Sequence, residues 1–106
     1  IEEVLVQVSN ETNKQLPMAV DSVTQLSTTI ASGKDFIYLY KLTGKDYDSL
    51  SQQDLENSLA EGIISGACTM TETKQMLTEG VRLVYRYSNE QGMYLGEIPV
   101  TTADCK

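Results

Sequence analysis

The sequence predicts an α+β fold: a single antiparallel β-sheet of four to five strands, with helices packed mainly on one face. Three observations support this fold. Apolar residues recur with helical spacing at the start of the chain and again in its middle. Two pairs of strand-like segments, 18–31 with 36–42 and 81–88 with 93–100, are each joined by a turn signal. The resulting order α-β-β-α-α-β-β places helices between two hairpins, as an α+β layer requires.

The first element is an amphipathic helix over residues 1–16, which Pro17 ends. Packing of its apolar face on the domain is the commoner outcome, and docking of that face with a partner is the alternative. The face consists of Ile1, Val4, Leu5, Val8 and Leu16.

Two strands follow this helix. Residues 18–31 are rich in β-branched side chains and predict an extended segment that bends near Asp21-Ser22. Residues 36–42 place apolar side chains on both faces, which predicts a central strand.

Residues 43–50 predict a loop, and capping signals mark the two helices after it. Ser51 with Asp54 resembles a capping box at the start of a helix carrying Leu55, Leu59 and Ile63. Thr69 with Glu72 predicts a second, short helix, with Gly80 as the residue that follows its end. In the closing hairpin, Pro99 indicates a sheet edge or a strand end.

Composition excludes several classes of function. The chain has 106 residues, which predicts a single domain over 1–106, and a net charge of −7, which disfavours binding to nucleic acid or anionic lipid. The absence of histidine removes the usual general base and the commonest metal ligand. We therefore expect no catalytic residues, metal site or cofactor. No apolar run is long enough to span a membrane, so we expect membrane contact only through an anchor upstream of Ile1.

The two cysteines, Cys68 and Cys105, form either one disulfide or two buried free thiols. A polar tail at the chain end is an unusual place for a buried thiol, which favours the disulfide. Closing a loop of this size contributes about 4 kcal/mol in the chain-entropy model. A disulfide also indicates an oxidising compartment, namely the periplasm, the cell surface or the exterior.

The second half of the chain resembles the AspS-type pilotins of type II secretion, which are small outer-membrane lipoproteins of Gram-negative bacteria. The resemblance rests on Cys68, the segment Lys74 to Val81, Asn89 with a glycine in the hairpin, and Thr101 to Cys105. Small secreted bacterial proteins of no known role share this arrangement, together with a segment like Leu16 to Asp21.

The resemblance implies a non-catalytic protein of the periplasm or the outer membrane that binds the C-terminal segment of a secretin subunit. Side-chain type alone suggests Tyr85, Tyr87 and Met93 as partner-binding residues. The alternative function is a secreted inhibitor or accessory subunit of a cell-envelope enzyme or secretion apparatus. In that case the acidic segment Asp46 to Asp54 would face a basic cleft.

Overall fold

The computed structural model describes residues 2–44 and 51–105 of the chain, so most of the predicted loop 43–50, with Asp46 and Asp48, lies outside the described residues. The predicted order of elements is confirmed, with one additional two-residue strand. The elements are α1 (Glu2–Asn13), β1 (Met18–Ala19), β2 (Thr24–Ser32), β3 (Asp35–Leu42), α2 (Gln52–Thr69), α3 (Thr71–Thr78), β4 (Arg82–Ser88), β5 (Tyr94–Val100) and a 3-10 turn (Thr102–Asp104).

The prediction of a purely antiparallel sheet is wrong. The five strands lie in the order β1-β2-β3-β4-β5, and β3 and β4 run parallel, with Tyr38 beside Tyr85. The cause is the connection between them: α2 and α3 carry the chain from the end of β3 back to the opposite end of the sheet before β4 begins. The prediction that 36–42 is a central strand is confirmed.

Predicted signals account for the start of α2 and the end of α3. The Ser51 hydroxyl accepts from the Asp54 N–H at 3.1 Å, and the Asp54 carboxylate accepts from the Ser51 N–H at 3.1 Å, which lowers the pKa of Asp54. Gly80 follows α3 with a φ of 89°, as predicted. The second predicted cap is wrong, because Thr69 belongs to α2 and donates its hydroxyl to the Ser65 carbonyl at 2.8 Å.

All three helices pack on one face of the sheet: α1 lies over β2, α2 over β5, and α3 beside the start of β4. In the described part of the chain, no helix is both long and apolar enough to cross a membrane. The core between these layers is built mainly from apolar side chains of the three helices and of β3, β4 and β5. Its most completely buried members are Leu5, Phe36, Leu55, Leu77, Val81, Leu83 and Val100.

The predicted disulfide is present between Cys68 and Cys105, whose Cα atoms are 5.5 Å apart. It ties the last turn of α2 to the tail that follows β5. Two elements 37 residues apart in sequence are therefore held together covalently at one end of the sheet.

Two side-chain amides, one beside β2 and one beside β5, hydrogen-bond to backbone groups that point away from the neighbouring strand in the sheet. On β2, beyond the reach of the short β1, Asn13 accepts from the Thr29 N–H at 2.7 Å and donates to the Thr29 carbonyl at 3.0 Å. On β5, Gln52 accepts from the Glu97 N–H at 2.8 Å and donates to the Glu97 carbonyl at 2.7 Å. Each amide thus makes the two hydrogen bonds that a neighbouring strand would make.

The edge position predicted from Pro99 agrees with the topology, because β5 is an outer strand. The backbone N–H of Glu97 points away from β4, towards Gln52. Strand alternation gives Pro99, two residues later, the same outward orientation, so its missing N–H leaves the β4–β5 ladder intact.

Candidate functional site

A groove of about 370 Å³ opens between α1 and α3, and β3 forms its floor. It exists because α1 lies over β2 while α3 meets the sheet at the start of β4, so the two helices stand apart above the strand between them. Its lining is Val4, Leu5, Val8, Thr12, Phe36, Tyr38, Glu72, Gln75, Met76 and Glu79.

The α1 wall of the groove is apolar and only partly covered. Leu5 and Ser9 point at the sheet and are buried. Val4 and Val8 lie on the adjacent stripe, where their side chains line the groove and keep 50% and 37% of their surface exposed. Apolar side chains that no element of the fold covers mark an interaction surface when they line a concave site.

The α3 wall is mixed in character. Leu77 is buried beneath the helix, and Met76 is half-buried at the side of the groove. Glu72 and Glu79 lie at the rim, and both are exposed. The groove therefore has one uncharged wall and one wall with negative charge at both ends.

Aromatic rings form the floor. Phe36 is fully buried, and its ring meets the Tyr38 ring edge-on at a centroid distance of 5.1 Å. Tyr38 stacks in turn on Tyr85 of the parallel strand at 4.9 Å. Burial raises the pKa of Tyr38 well above its ordinary value, with smaller contributions from Tyr85, Tyr40 and the Glu72 carboxylate. The floor thus presents a rigid, neutral aromatic surface.

The structure places the partner-binding residues predicted from sequence in two different environments. Tyr85 and Tyr87 belong to the core and keep only 9% and 6% of their surface exposed. Tyr85 lies directly behind the groove floor through its stacking on Tyr38. Met93, at the β4–β5 turn, is 65% exposed and does not line the groove. Their role in partner binding stays a prediction.

Sequence reasoning did not find the groove itself. It assigned Val4 and Val8 to an apolar helix face, but it gave no sign that Met76 and Glu79 would stand opposite them. The available signal was the width of the apolar stripe on α1, because Val4, Val6 and Val8 cannot all point at one sheet. The alternative function as an inhibitor depended on the acidic segment Asp46 to Asp54. Within that segment, the Asp54 carboxylate accepts a hydrogen bond in the cap of α2.

No protein-family model matches the sequence, and comparison with curated proteins finds no match. Solved structures do match. A pilotin of the type 2 secretion system of Vibrio vulnificus, EpsS, aligns over 99% of this chain and 91% of its own with a TM-score of 0.80 and 15% identity. The type II secretion pilotin AspS of Vibrio cholerae aligns over 98% and 91% with a TM-score of 0.72 and 15% identity. The chain has the fold of the type II secretion pilotins.

The pilotin fold is shared with a third structure. A candidate secreted protein of Pseudomonas aeruginosa aligns over 99% of this chain and 92% of its own, with a TM-score of 0.86 and 15% identity. The resemblance based on Cys68, Lys74 to Val81 and Cys105 is thereby confirmed at the level of fold. Since each match spans nearly both chains, the pilotin fold includes α1 and α3, the two walls of the groove.

Proposed function

We propose that this protein is a non-catalytic binding module of the bacterial cell envelope that holds a helical segment of a secretion-system protein in the groove between α1 and α3. The C-terminal segment of a secretin subunit is the proposed partner. The observation that carries the proposal is an uncovered apolar wall, Val4 and Val8, standing over an aromatic floor in a chain with the pilotin fold.

The groove suits a helix better than an extended peptide. Binding of an amphipathic helix needs an apolar trough that accepts side chains at successive helical turns. Val4, Val8 and Thr12 provide such a wall over two turns of α1, and Met76 faces them across the floor. An extended peptide would need a free strand edge, whereas the β3 floor is paired on both sides.

The proposed location is the periplasm, the inner leaflet of the outer membrane, or the exterior. The Cys68–Cys105 disulfide supports it, because such bonds persist in oxidising compartments. A lipid anchor upstream of Ile1 would hold the module at the membrane. No step of the proposed function is catalytic: the module binds its partner and escorts it.

Titration with fluorescently labelled secretin C-terminal peptides tests this proposal, and a tryptophan in the peptide serves as a second probe because the protein has none. We expect Val4→Asp and Val8→Asp each to weaken binding about tenfold or more, since each buries a charge in the contact. Val6→Asp is the matched control, because Val6 is on the same helix and 48% exposed but lies outside the groove lining.

Circular dichroism of each variant confirms that the fold is retained. Equal affinities for the Val6→Asp and Val8→Asp variants would refute the groove as the binding site. Inhibition of a cell-envelope enzyme, without binding to any secretin peptide, would support the alternative function as an inhibitor or accessory subunit.

A further inference from the structure

We infer that the groove is selective for charge: it takes an amphipathic helix whose apolar stripe is bordered on one side by basic residues spaced two helical turns apart. This inference rests on the proposed function and specifies the partner of the same site. It depends on Glu72 and Glu79, the two acidic side chains of the α3 wall.

The spacing of these acids matches a helix lying along the groove. Glu79 is seven positions after Glu72, which at helical spacing is about two turns and about 10 Å along the axis of α3. Glu72 lies in the first turn of α3, and Glu79 is the residue directly after its end, where its N–H still donates to the Gln75 carbonyl at 3.2 Å and so continues the same stripe. A docked helix running along α3 would meet them with residues that are also about seven apart.

Neither acid is neutralised by a basic neighbour among the described residues. The ion pairs in that part of the chain are Glu11–Lys14, Asp35–Arg82 and Arg86–Glu97. The Lys34 ammonium lies 3.8 Å from the position that a Cβ on Gly80 would take, but it forms no ion pair with Glu79. Within the described ranges, the two carboxylates of the α3 wall thus have no ion-pair partner and are available to a bound segment.

The charges of α3 are segregated by face. Its lysine, Lys74, comes two positions after Glu72, which is about 200° around the helix, and it does not line the groove. The opposite wall carries Val4, Val8 and Thr12, none of which bears a charge. A bound helix would therefore meet negative charge on one side only. This asymmetry would set the rotation of the helix about its own axis and would select helices with basic residues on that side.

The net charge of −7 acts in the same direction. A strongly acidic protein attracts basic segments over a distance of about one Debye length and repels acidic ones. Charges at the rim of an interface chiefly change the association rate, the salt dependence and the choice of partner. The apolar wall and the aromatic floor provide affinity, while Glu72 and Glu79 provide discrimination.

Two designed helical peptides with the same apolar stripe test this inference. One carries two lysines seven residues apart on the edge facing α3, and the other carries two glutamates at those positions. We expect the wild-type protein to prefer the lysine peptide about tenfold at low salt, and the preference to shrink as salt is added. Glu72→Lys/Glu79→Lys should reverse the preference, and Glu72→Gln/Glu79→Gln should abolish it.

The control is Glu61→Lys/Glu90→Lys, which makes the same change in net charge at exposed positions outside the groove. It should leave a clear preference for the lysine peptide. Equal binding of both peptides to wild type overturns the charge selectivity and leaves the proposed function standing. Equal loss of preference in the control assigns selectivity to net charge and also overturns the inference. Failure of both peptides to bind overturns the proposed function itself.

Discussion

The helix-covered face of the sheet has two halves that are closed to different degrees. In the closed half, α2 packs directly on β5, where Gly96 has no side chain and Leu55 is buried against it. In the open half, α1 and α3 stand apart over Phe36 and Tyr38, and the groove remains between them. Glycine at position 96 lets side chains of α2 pack directly on β5, whereas the rings of Phe36 and Tyr38 occupy the floor between α1 and α3.

The closed half contains the disulfide, whereas the open half is held by noncovalent contacts. The disulfide lies at the closed half, between the end of α2 and the tail after β5. The open half is held by the buried side chains of Leu5 and Leu77 and by the hydrogen bonds of Ser9 and Asn13 to Thr29. The covalent cross-link thus lies away from the groove lining, which is held by noncovalent contacts.

The largest expected change in folding stability occurs at alkaline pH. It comes from a column of four stacked tyrosine rings that lies between the two halves. Tyr38, Tyr85, Tyr40 and Tyr87 stack in succession, and burial raises the pKa of each, that of Tyr40 to about 12. Unfolded tyrosine ionises near pH 10, so the unfolded state binds fewer protons above that pH and folding stability falls. Four such groups lower the free energy of unfolding by on the order of 5 kcal/mol at about one pH unit above 10.

Tyrosinate absorbance and circular dichroism, followed together against pH, measure this effect. Below about pH 10 the column should not change stability, and above it ionisation and unfolding should coincide. Tyr85→Phe should make the protein more resistant to alkali, while Tyr94→Phe, at a position that is 60% exposed, should have a smaller effect. Ionisation of all tyrosines near pH 10 in a protein that stays folded would show that the open half is hydrated down to its floor.

Removal of the disulfide should be the next largest effect. Cys68→Ser/Cys105→Ser opens a loop of 37 residues and should lower the free energy of unfolding by about 4 kcal/mol. Chemical denaturation measures this loss. Peptide affinity of the folded variant should stay unchanged, because neither cysteine lines the groove. A large loss of affinity in the folded variant would show that the two halves are coupled.

A pair of glycine substitutions sharpens the comparison on a smaller scale. A Cβ at Gly96 would collide with the Gln52 side chain and lie 2.8 Å from Leu55 Cδ1, so Gly96→Ala should destabilise by about 2 kcal/mol. A Cβ at Gly62 in α2 meets nothing within 4 Å, so Gly62→Ala should stabilise by about 1 kcal/mol through helix propensity. Thermal unfolding distinguishes the two signs, and the same sign for both would contradict the close packing of α2 on β5.

The sequence was sufficient for features that depend on local physical chemistry. Both faces of 36–42 are apolar, and that strand is central. Ser51 and Asp54 form the expected cap, and Gly80 has the positive φ that its position required. The disulfide between Cys68 and Cys105, which the sequence favoured over two free thiols, is also present. Each of these depends on the chemistry of one residue or of two.

Features that depend on how elements lie relative to one another could not be predicted. Hydrophobic periodicity predicted two hairpins but could not show whether β3 and β4 run parallel or antiparallel. The α2–α3 crossover makes them parallel. The groove has the same origin, because Val8 and Met76 belong to elements that pack on different strands. A sequence pattern shows that a helix has an apolar face, but it does not show how much of that face its own sheet covers.

The amide pairs at the two borders of the sheet limit the form in which a partner can arrive. Asn13 occupies the outward hydrogen-bonding groups of Thr29, and Gln52 occupies those of Glu97. A peptide seeking to lengthen the sheet at these points must first displace a side chain that already mimics it. Addition of a strand is therefore opposed at Thr29 and at Glu97, whereas a helix brings its backbone hydrogen bonds already made and needs no strand edge to dock.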